Sequence, residues 1–166
     1  MGRSKLREAF PHLSMLFLGT ALMTILHPIL GIFYPLYFIG ATAWFWWRIC
    51  TNCLSYGNRG CPSGYGTISS KLFRRAEVPD FRKAFRNNIG AIVIQFFIPP
   101  VAAVVFLILP NLSWFHRTFG PAIYYPAVVL ILGIYSFVAF VWIPIHSRSK
   151  ACDTCPQSVD CVWKKK

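Results

Sequence analysis

Charged side chains are scarce in this chain, and acidic ones are the scarcest. Only 13% of the 166 residues are Asp, Glu, Lys or Arg, and only 5 are acidic, whereas a soluble domain carries about 25% charged residues. No charged residue occurs in 9–47, 87–116 or 118–147. This lack of charge excludes an ordinary soluble fold. Each uncharged run is longer than the roughly 20 residues that a membrane-spanning helix needs.

The first uncharged run is too long for one membrane crossing. Its 39 residues would form a helix of about 58 Å, nearly twice a hydrocarbon core of about 30 Å. Pro28 and Gly31, near its middle, are expected to break it. The sequence therefore predicts an all-α integral membrane protein with four transmembrane helices in two hairpins, at about 10–26, 31–49, 89–110 and 123–145. Residues 111–122 are expected to form a loop.

Basic residues lie almost entirely on one side of this arrangement. Of the 17 Lys and Arg residues, only Arg117 falls between the third and fourth predicted helices. By the positive-inside rule, both termini and the central loop are cytoplasmic, so the protein is N-in/C-in in the cytoplasmic (inner) membrane. The chain is then a single membrane domain over 1–166. It comprises a hairpin at 10–49, a cysteine knuckle at 50–66, an amphipathic loop at 67–88, a hairpin at 89–145 and a cysteine tail at 146–166.

A basic amphipathic pattern fills 67–88, where Asp80 is expected to start a short helix that carries Phe81 and Phe85. Each basic residue near anionic headgroups contributes about 1 kcal/mol. We therefore expect this cytoplasmic loop to lie on the membrane surface against anionic lipids. Nucleic acid is not expected, because no binding motif accompanies the net charge of +12. The basic residues concerned are Arg74, Arg75, Arg82, Lys83 and Arg86.

Clusters of Trp and Tyr flank the predicted membrane helices. Such residues form belts at the membrane–water interface. We interpret them as interface anchors and not as ligand-binding residues. They are Trp44, Trp46 and Trp47 at the cytoplasmic end of the second helix, and Trp114, Tyr124 and Tyr125 at the opposite face.

Six cysteines form two triplets, and each triplet begins with a C-x2-C pair. Such a turn directs two thiolates at one ion, and two such turns complete a tetrahedral set. Cytoplasmic thiols are kept reduced, which disfavours structural disulfides. We therefore expect a shared metal–thiolate centre. Its ligands are Cys50, Cys53 and Cys61 after the second helix, and Cys152, Cys155 and Cys161 after the fourth.

The metal is either zinc, as one or two ions, or iron in an iron–sulfur cluster. The cysteine spacing resembles that of the fungal binuclear zinc cluster, in which six cysteines bind two zincs, and this resemblance covers the cysteines only. The steps Cys61-Pro62 and Cys155-Pro156 resemble those of ferredoxins, although the ferredoxin run C-x2-C-x2-C-x3-C-P is absent. Spacing does not separate the two metals.

The expected function is that of a small membrane subunit in a larger, quinone-linked membrane complex, with an electron-transfer or anchoring role. Among Asp, Glu, Lys, Arg and His, only His12 and Arg48 lie inside the predicted helices, each near a helix end, which argues against transport, and no catalytic residue is predicted. One alternative is a zinc-stapled scaffold without a redox role. Another is a thiol–disulfide oxidoreductase, since the cysteine pairs resemble those of quinone-coupled four-helix enzymes. A cytochrome with haem b is a further alternative, with His12, His27, His116 and His146 as ligands.

Overall fold

The computed structural model describes residues 3–57, 65–77 and 79–146, with side chains for 12–57, 65–77 and 79–145. Within these ranges the chain is helical and contains no strand, so the predicted all-α fold class is confirmed. The helices are α1 (Arg3–Leu26), α2 (Pro28–Arg48), α3 (Tyr65–Leu72), α4 (Phe81–Asn88), α5 (Gly90–Ile108), α6 (Trp114–Phe119), α7 (Pro121–Phe137) and α8 (Ile143–His146). Short 3-10 turns cover Cys50–Asn52 and Pro110–Leu112, and Val138–Trp142 is a π-helical segment between α7 and α8.

In the described part of the chain, three helical stretches are long and apolar enough to cross a membrane. They are Pro28–Asn52, Phe81–Ile108 and Pro121–Ile145. The apolar part of α1 is shorter, His12–Leu26. The expected break in the first uncharged run is also present, because His27 alone separates α1 from α2.

Two local predictions are wrong. The expected loop at 111–122 contains α6, because Ser113 caps its start by accepting from the His116 N–H at 3.4 Å, and Gly120, with φ 75°, ends it. Tyr124 does not act as an interface anchor, because it is 0% exposed and belongs to a hydrophobic core.

The chain forms two compact units, which are described separately. The helical-core unit consists of Pro11–Gly40 and Val93–Ile143. The cysteine unit contains the described residues of Met1–Phe10, Ala41–Ile92 and Pro144–Lys166.

The helical-core unit buries one face of each helix and leaves large apolar side chains on the other. In α7 the buried residues include Tyr124, Val128 and Tyr135, which repeat at helical spacing. On α2, by contrast, Ile32, Phe33 and Leu36 are each more than 60% exposed. Exposed apolar surface on this scale marks a region that contacts lipid or another protein.

Small residues let α1 and α2 approach closely. A Cβ atom added at Gly19 would overlap the Tyr34 ring, and one added at Gly31 would overlap both the side chain and the Cα atom of Thr24. Gly19 precedes Thr24 along α1, whereas its partner Tyr34 follows Gly31 along α2. The two helices therefore run antiparallel through this contact. Glycines that bring two backbones together are typical of packed membrane helices.

The Tyr135 hydroxyl shares its one proton between two carbonyls of α5 that prolines leave without a helical donor. Proline has no N–H, so Pro99 and Pro100 leave the carbonyls four residues earlier without their helical donor. Those carbonyls belong to Gln95 and Phe96, and the buried Tyr135 hydroxyl lies 3.3 Å from each oxygen. The Tyr34 hydroxyl, also buried, lies 3.3 Å from that of Tyr135.

Tyr124 does the same at the other end of α5. Pro110 leaves the Phe106 carbonyl open, and the Tyr124 hydroxyl donates to that oxygen at 3.0 Å. Gln95 and Phe106 are 11 residues apart, as are Tyr124 and Tyr135. Because the later tyrosine contacts the earlier carbonyl, α7 runs antiparallel to α5.

The end of α1 shows a third case. Pro28 leaves the Thr24 carbonyl open, and the Trp114 Nε1–H donates to it at 2.6 Å. The Ile29 N–H donates to His27 Nδ1 at 3.3 Å, and the Ser113 hydroxyl donates to the Ile25 carbonyl at 3.1 Å. Donors from neighbouring helices are one of the means by which membrane helices accommodate proline.

Candidate functional site

The candidate site begins at the first C-x2-C pair, directly after α2. Cys50 starts the 3-10 turn Cys50–Asn52 and Cys53 is its C-cap, with the Cys53 N–H donating to the Cys50 carbonyl at 3.2 Å. In a 3-10 turn, side chains three residues apart lie above one another. Cys50 is 7% exposed and Cys53 is half-buried. The two cysteines therefore lie at the two ends of one tight turn, with Cys50 the more buried of the pair.

The sulfur of Cys53 already accepts a backbone hydrogen bond. The Ser55 N–H lies 3.5 Å from Cys53 Sγ. Ser55 is 1% exposed, and its hydroxyl has no hydrogen-bond partner among the described residues. Backbone N–H donors to sulfur stabilise thiolates and tune bound metals. This segment thus offers donors of the kind that a metal-bound thiolate uses.

At the C-terminal end of α2, next to the cysteine turn, side chains donate hydrogen bonds to the last backbone carbonyls. The last carbonyls of a helix have no donor inside it. Here the Thr51 hydroxyl donates to the Trp47 carbonyl, and Asn52 Nδ2 donates to the Arg48 carbonyl at 2.9 Å. The Ser69 hydroxyl, from α3, donates to the Trp46 carbonyl at 2.9 Å. The cysteine turn is therefore fixed to the end of α2.

Two further hydrogen bonds attach the segment between α3 and α4 to the same turn. The Ala76 N–H donates to the Thr51 carbonyl at 3.3 Å, and the Asp80 N–H donates to Asn52 Oδ1 at 3.2 Å. Asp80 is also the N-cap of α4, where its Oδ1 accepts from the Lys83 N–H at 2.9 Å. The short helix that the sequence predicts to start at Asp80 is thus present as α4.

Aromatic side chains surround the end of α2 on the same unit. The Trp46 ring lies 6.0 Å from that of Tyr65, and its Nε1–H is buried without an acceptor among the described residues. The guanidinium of Arg48 lies 4.2 Å from the Trp47 ring centroid and 5.0 Å from that of Trp44. Such cation–π contacts contribute about 0.5–1 kcal/mol at exposed sites. Trp44 and Trp47, at 38% and 44% exposed, keep the surface position expected of interface anchors.

The remaining predicted metal ligands, Cys61, Cys152, Cys155 and Cys161, lie outside the described residues. Within 12–57, 65–77 and 79–145, no three His, Cys, Asp or Glu side chains lie together as a metal site. The shared six-cysteine centre therefore stays a prediction.

The predicted haem ligands have the following surroundings in the structure. His27 Nδ1 accepts from the Ile29 N–H at 3.3 Å, so the neutral ring carries its proton on Nε2 and offers iron no lone pair while that bond holds. The His116 ring packs against Tyr124 at 5.2 Å. His12 is half-buried, and the His146 side chain lies outside the described set. Haem ligation stays a prediction.

Sequence reasoning missed the residues that position the cysteine turn. Thr51, Asn52, Ser55 and Ser69 supply its side-chain hydrogen bonds or its N–H to sulfur. The available signal was the run of short polar residues interleaved with the first cysteines, because such side chains favour local bonds to the backbone. No family model, curated protein or solved structure matches the chain.

Proposed function

We propose that this chain is a small integral membrane subunit that carries a metal–thiolate centre on the cytoplasmic side, with Cys50 and Cys53 as two of its ligands. The observation that carries the proposal is the C-x2-C turn in which a backbone N–H already donates to the Cys53 sulfur at 3.5 Å. The other ligands in this proposal are Cys61, Cys152, Cys155 and Cys161.

The proposed topology has four membrane helices in two hairpins, with both termini inside. The distribution of Lys and Arg supports the orientation. The close approach of Gly31 to Thr24 supports a chain reversal at His27, and the bonds from Tyr124 and Tyr135 support an antiparallel second pair. In this topology the first crossing is made by α1.

In the favoured form of the proposal, the centre is an iron–sulfur cluster that passes electrons within a quinone-linked complex. Iron–sulfur clusters supply one-electron chemistry at potentials set by hydrogen bonds to sulfur and by burial. Cys50 follows the Trp44, Trp46 and Trp47 group at one end of α2. Aromatic residues at that position sit at headgroup depth in a membrane helix, where a quinone headgroup would meet them.

A zinc-stapled scaffold is the second candidate, and it is favoured because Cys50 is nearly buried and its surroundings are held by hydrogen bonds. Structural zinc sites are closed and fully ligated by protein. Cys50 is 7% exposed, and hydrogen bonds from Ser69, Ala76 and Asp80 anchor its surroundings. In this version the metal stabilises the fold and transfers no electrons.

The thiol oxidoreductase requires a redox-active cysteine pair and no resident metal.

Metal analysis with an absorption spectrum, on protein purified without oxygen, tests the proposal. We expect metal in the wild type, loss of metal in Cys53→Ser, and full retention in Leu54→Ala, a neighbour that is 55% exposed. Iron with labile sulfide and a visible absorption that dithionite bleaches would support electron transfer. Colourless protein with zinc would support the scaffold. Metal-free protein whose cysteines cycle between thiol and disulfide would contradict both and favour the oxidoreductase.

A further inference from the structure

Ser55 is a buried polar residue two positions after Cys53, and its hydroxyl group does not stabilise the fold. The side chain is 1% exposed, and its oxygen forms no hydrogen bond among the described residues. A buried hydroxyl without a partner is destabilising, because it gives up its bonds to water and gains none in exchange. Such a group in a folded protein therefore calls for an explanation, and a bound ligand that it contacts is one.

The other short polar side chains at the cysteine turn have a structural use. Thr51, Asn52 and Ser69 each donate a hydrogen bond to a backbone carbonyl of α2. Ser55 differs from these three, because its backbone N–H, and not its hydroxyl, makes the bond that an atom of the turn accepts, and that atom is Cys53 Sγ. The hydroxyl of Ser55 is thus a second donor on a residue that already contacts a cysteine sulfur.

The covalent geometry of serine holds this hydroxyl close to the sulfur. The Ser55 nitrogen lies 3.5 Å from Cys53 Sγ, and in every staggered rotamer a serine oxygen lies within about 4 Å of its own nitrogen. Rotation about χ1 and about the C–O bond is therefore the only freedom that the hydroxyl has. A neutral thiol is a weak acceptor, whereas a thiolate is charged and accepts the stronger, charge-assisted kind of hydrogen bond.

Metal binding would place negative charge where water has little access. Cysteine ligates a metal as the thiolate, so both thiols of the turn lose their protons on binding. Cys50 is 7% exposed and Cys53 is half-buried, and buried charge is costly unless hydrogen bonds stabilise it. The N–H and the O–H of Ser55 are two donors suited to that purpose.

We propose that the Ser55 hydroxyl donates a hydrogen bond to the Cys53 sulfur when that sulfur binds metal, beside the bond from the Ser55 N–H. Ser55 is then a positioning residue of the metal–thiolate centre and not a ligand. This inference rests on the proposed function. It assigns one hydroxyl two opposite effects, since the group destabilises the metal-free chain and strengthens metal binding.

Two serine-to-alanine variants of the full chain test the proposal. Ser55→Ala removes the hydroxyl and keeps the N–H. The control is Ser69→Ala, the same substitution at another buried serine of the cysteine unit, whose hydroxyl already donates to the Trp46 carbonyl. Zinc is titrated into the metal-free, detergent-solubilised protein in competition with a chromophoric chelator, and thermal unfolding of the metal-free protein is compared. Cobalt(II) is titrated in the same way, because its sulfur-to-metal charge-transfer absorption reports on the thiolates directly.

We expect Ser55→Ala to weaken zinc binding about 10- to 100-fold, the usual cost of removing a hydrogen bond to a metal ligand. The charge-transfer band should move to longer wavelength, because a thiolate that loses a hydrogen bond gives up its electrons more easily. The unfolding temperature of the metal-free protein should stay unchanged or rise. Ser69→Ala should show the opposite pattern, with a lower unfolding temperature and with zinc affinity and cobalt band close to those of the wild type.

The possible failures are distinguishable. Wild-type affinity and band position in Ser55→Ala would overturn this inference and leave the metal centre in place. Equal weakening of zinc binding in the two variants would also overturn it, because general loosening of the cysteine unit would then explain the loss. Wild-type protein that binds neither zinc nor cobalt would overturn the proposed function, and this inference with it.

Discussion

The helical-core unit and the cysteine unit satisfy their backbone carbonyls in different ways. In the helical-core unit, Tyr124, Tyr135 and Trp114 donate across helices to carbonyls that prolines leave open. In the cysteine unit, Thr51 and Asn52 donate to carbonyls four residues earlier at the end of α2, and one further bond comes from another helix, that of Ser69 to the Trp46 carbonyl. Water can replace a donor of the second kind at an exposed surface, whereas it has less access to the carbonyls bound by Tyr124 and Tyr135, whose side chains are 0% exposed. Equivalent deletions should therefore destabilise the helical-core unit more than the cysteine unit.

The largest effect is expected at the contact between α1 and α2. Gly31→Ala places a methyl group against the Thr24 Cα atom, which cannot rotate away. Overpacking of this kind destabilises by about 1–3 kcal/mol, and we expect the upper end. The matched control is Gly40→Ala, where no described atom lies within 4 Å of the added Cβ; there alanine should be neutral or slightly stabilising. Thermal unfolding in detergent measures both, and equal stability of the two variants would show that the close approach is absent.

The next effect concerns the hydroxyl shared by two opened carbonyls. Tyr135→Phe leaves the Gln95 and Phe96 carbonyls without a donor, and we expect a loss of about 2 kcal/mol, since a buried unsatisfied group costs about 1–3 kcal/mol. Tyr34→Phe is the control, because it removes one hydroxyl partner and opens no carbonyl, so its loss should be near 1 kcal/mol. Chemical denaturation in detergent compares the two. A larger loss in Tyr34→Phe would contradict the assigned role of Tyr135.

The smallest effect is expected in the cysteine unit. Asn52→Ala removes bonds to the Arg48 carbonyl and the Asp80 N–H, both near water, so the stability loss should be about 0.5 kcal/mol. The local effect should be clearer, because α4 loses its attachment to the cysteine turn. Hydrogen exchange should accelerate at 79–84 in Asn52→Ala and stay unchanged in Asn87→Ala, an exposed position on α4. If Asn52→Ala lowered the free energy of unfolding by more than Tyr135→Phe does, the expected difference between the two units would be contradicted.

The sequence predicted the helices well because their signals are local. Long uncharged runs, the break at Pro28 and the cap at Asp80 each depend on neighbouring residues, and the structure has the corresponding elements. The roles of Tyr124 and Tyr135 could not be read in this way. A tyrosine near a helix end is typical of an interface anchor, and its use as a donor to Phe106 depends on the packing of α7 against α5.

The candidate site was predictable to a smaller extent. The C-x2-C spacing indicates a turn that offers two sulfurs, and Cys50 and Cys53 lie on such a turn. The N–H of Ser55 at the Cys53 sulfur and the bond from Ser69 to Trp46 follow from tertiary folding, which spacing does not encode. Spacing also leaves the metal open, because zinc and iron–sulfur clusters both use cysteine pairs of this kind.

The most direct test of the central claim is to determine on which side of the membrane each segment lies. Reporter fusions after Ser113 and after Lys166, in the full chain, test whether α7 crosses the membrane and in which direction. We expect the Ser113 fusion to report the outside and the Lys166 fusion to report the cytoplasm, which places the C-terminal cysteines in the reducing compartment. Fusions that report the same compartment would contradict the four-helix topology, and a Lys166 fusion that reports the outside would contradict the cytoplasmic metal–thiolate centre.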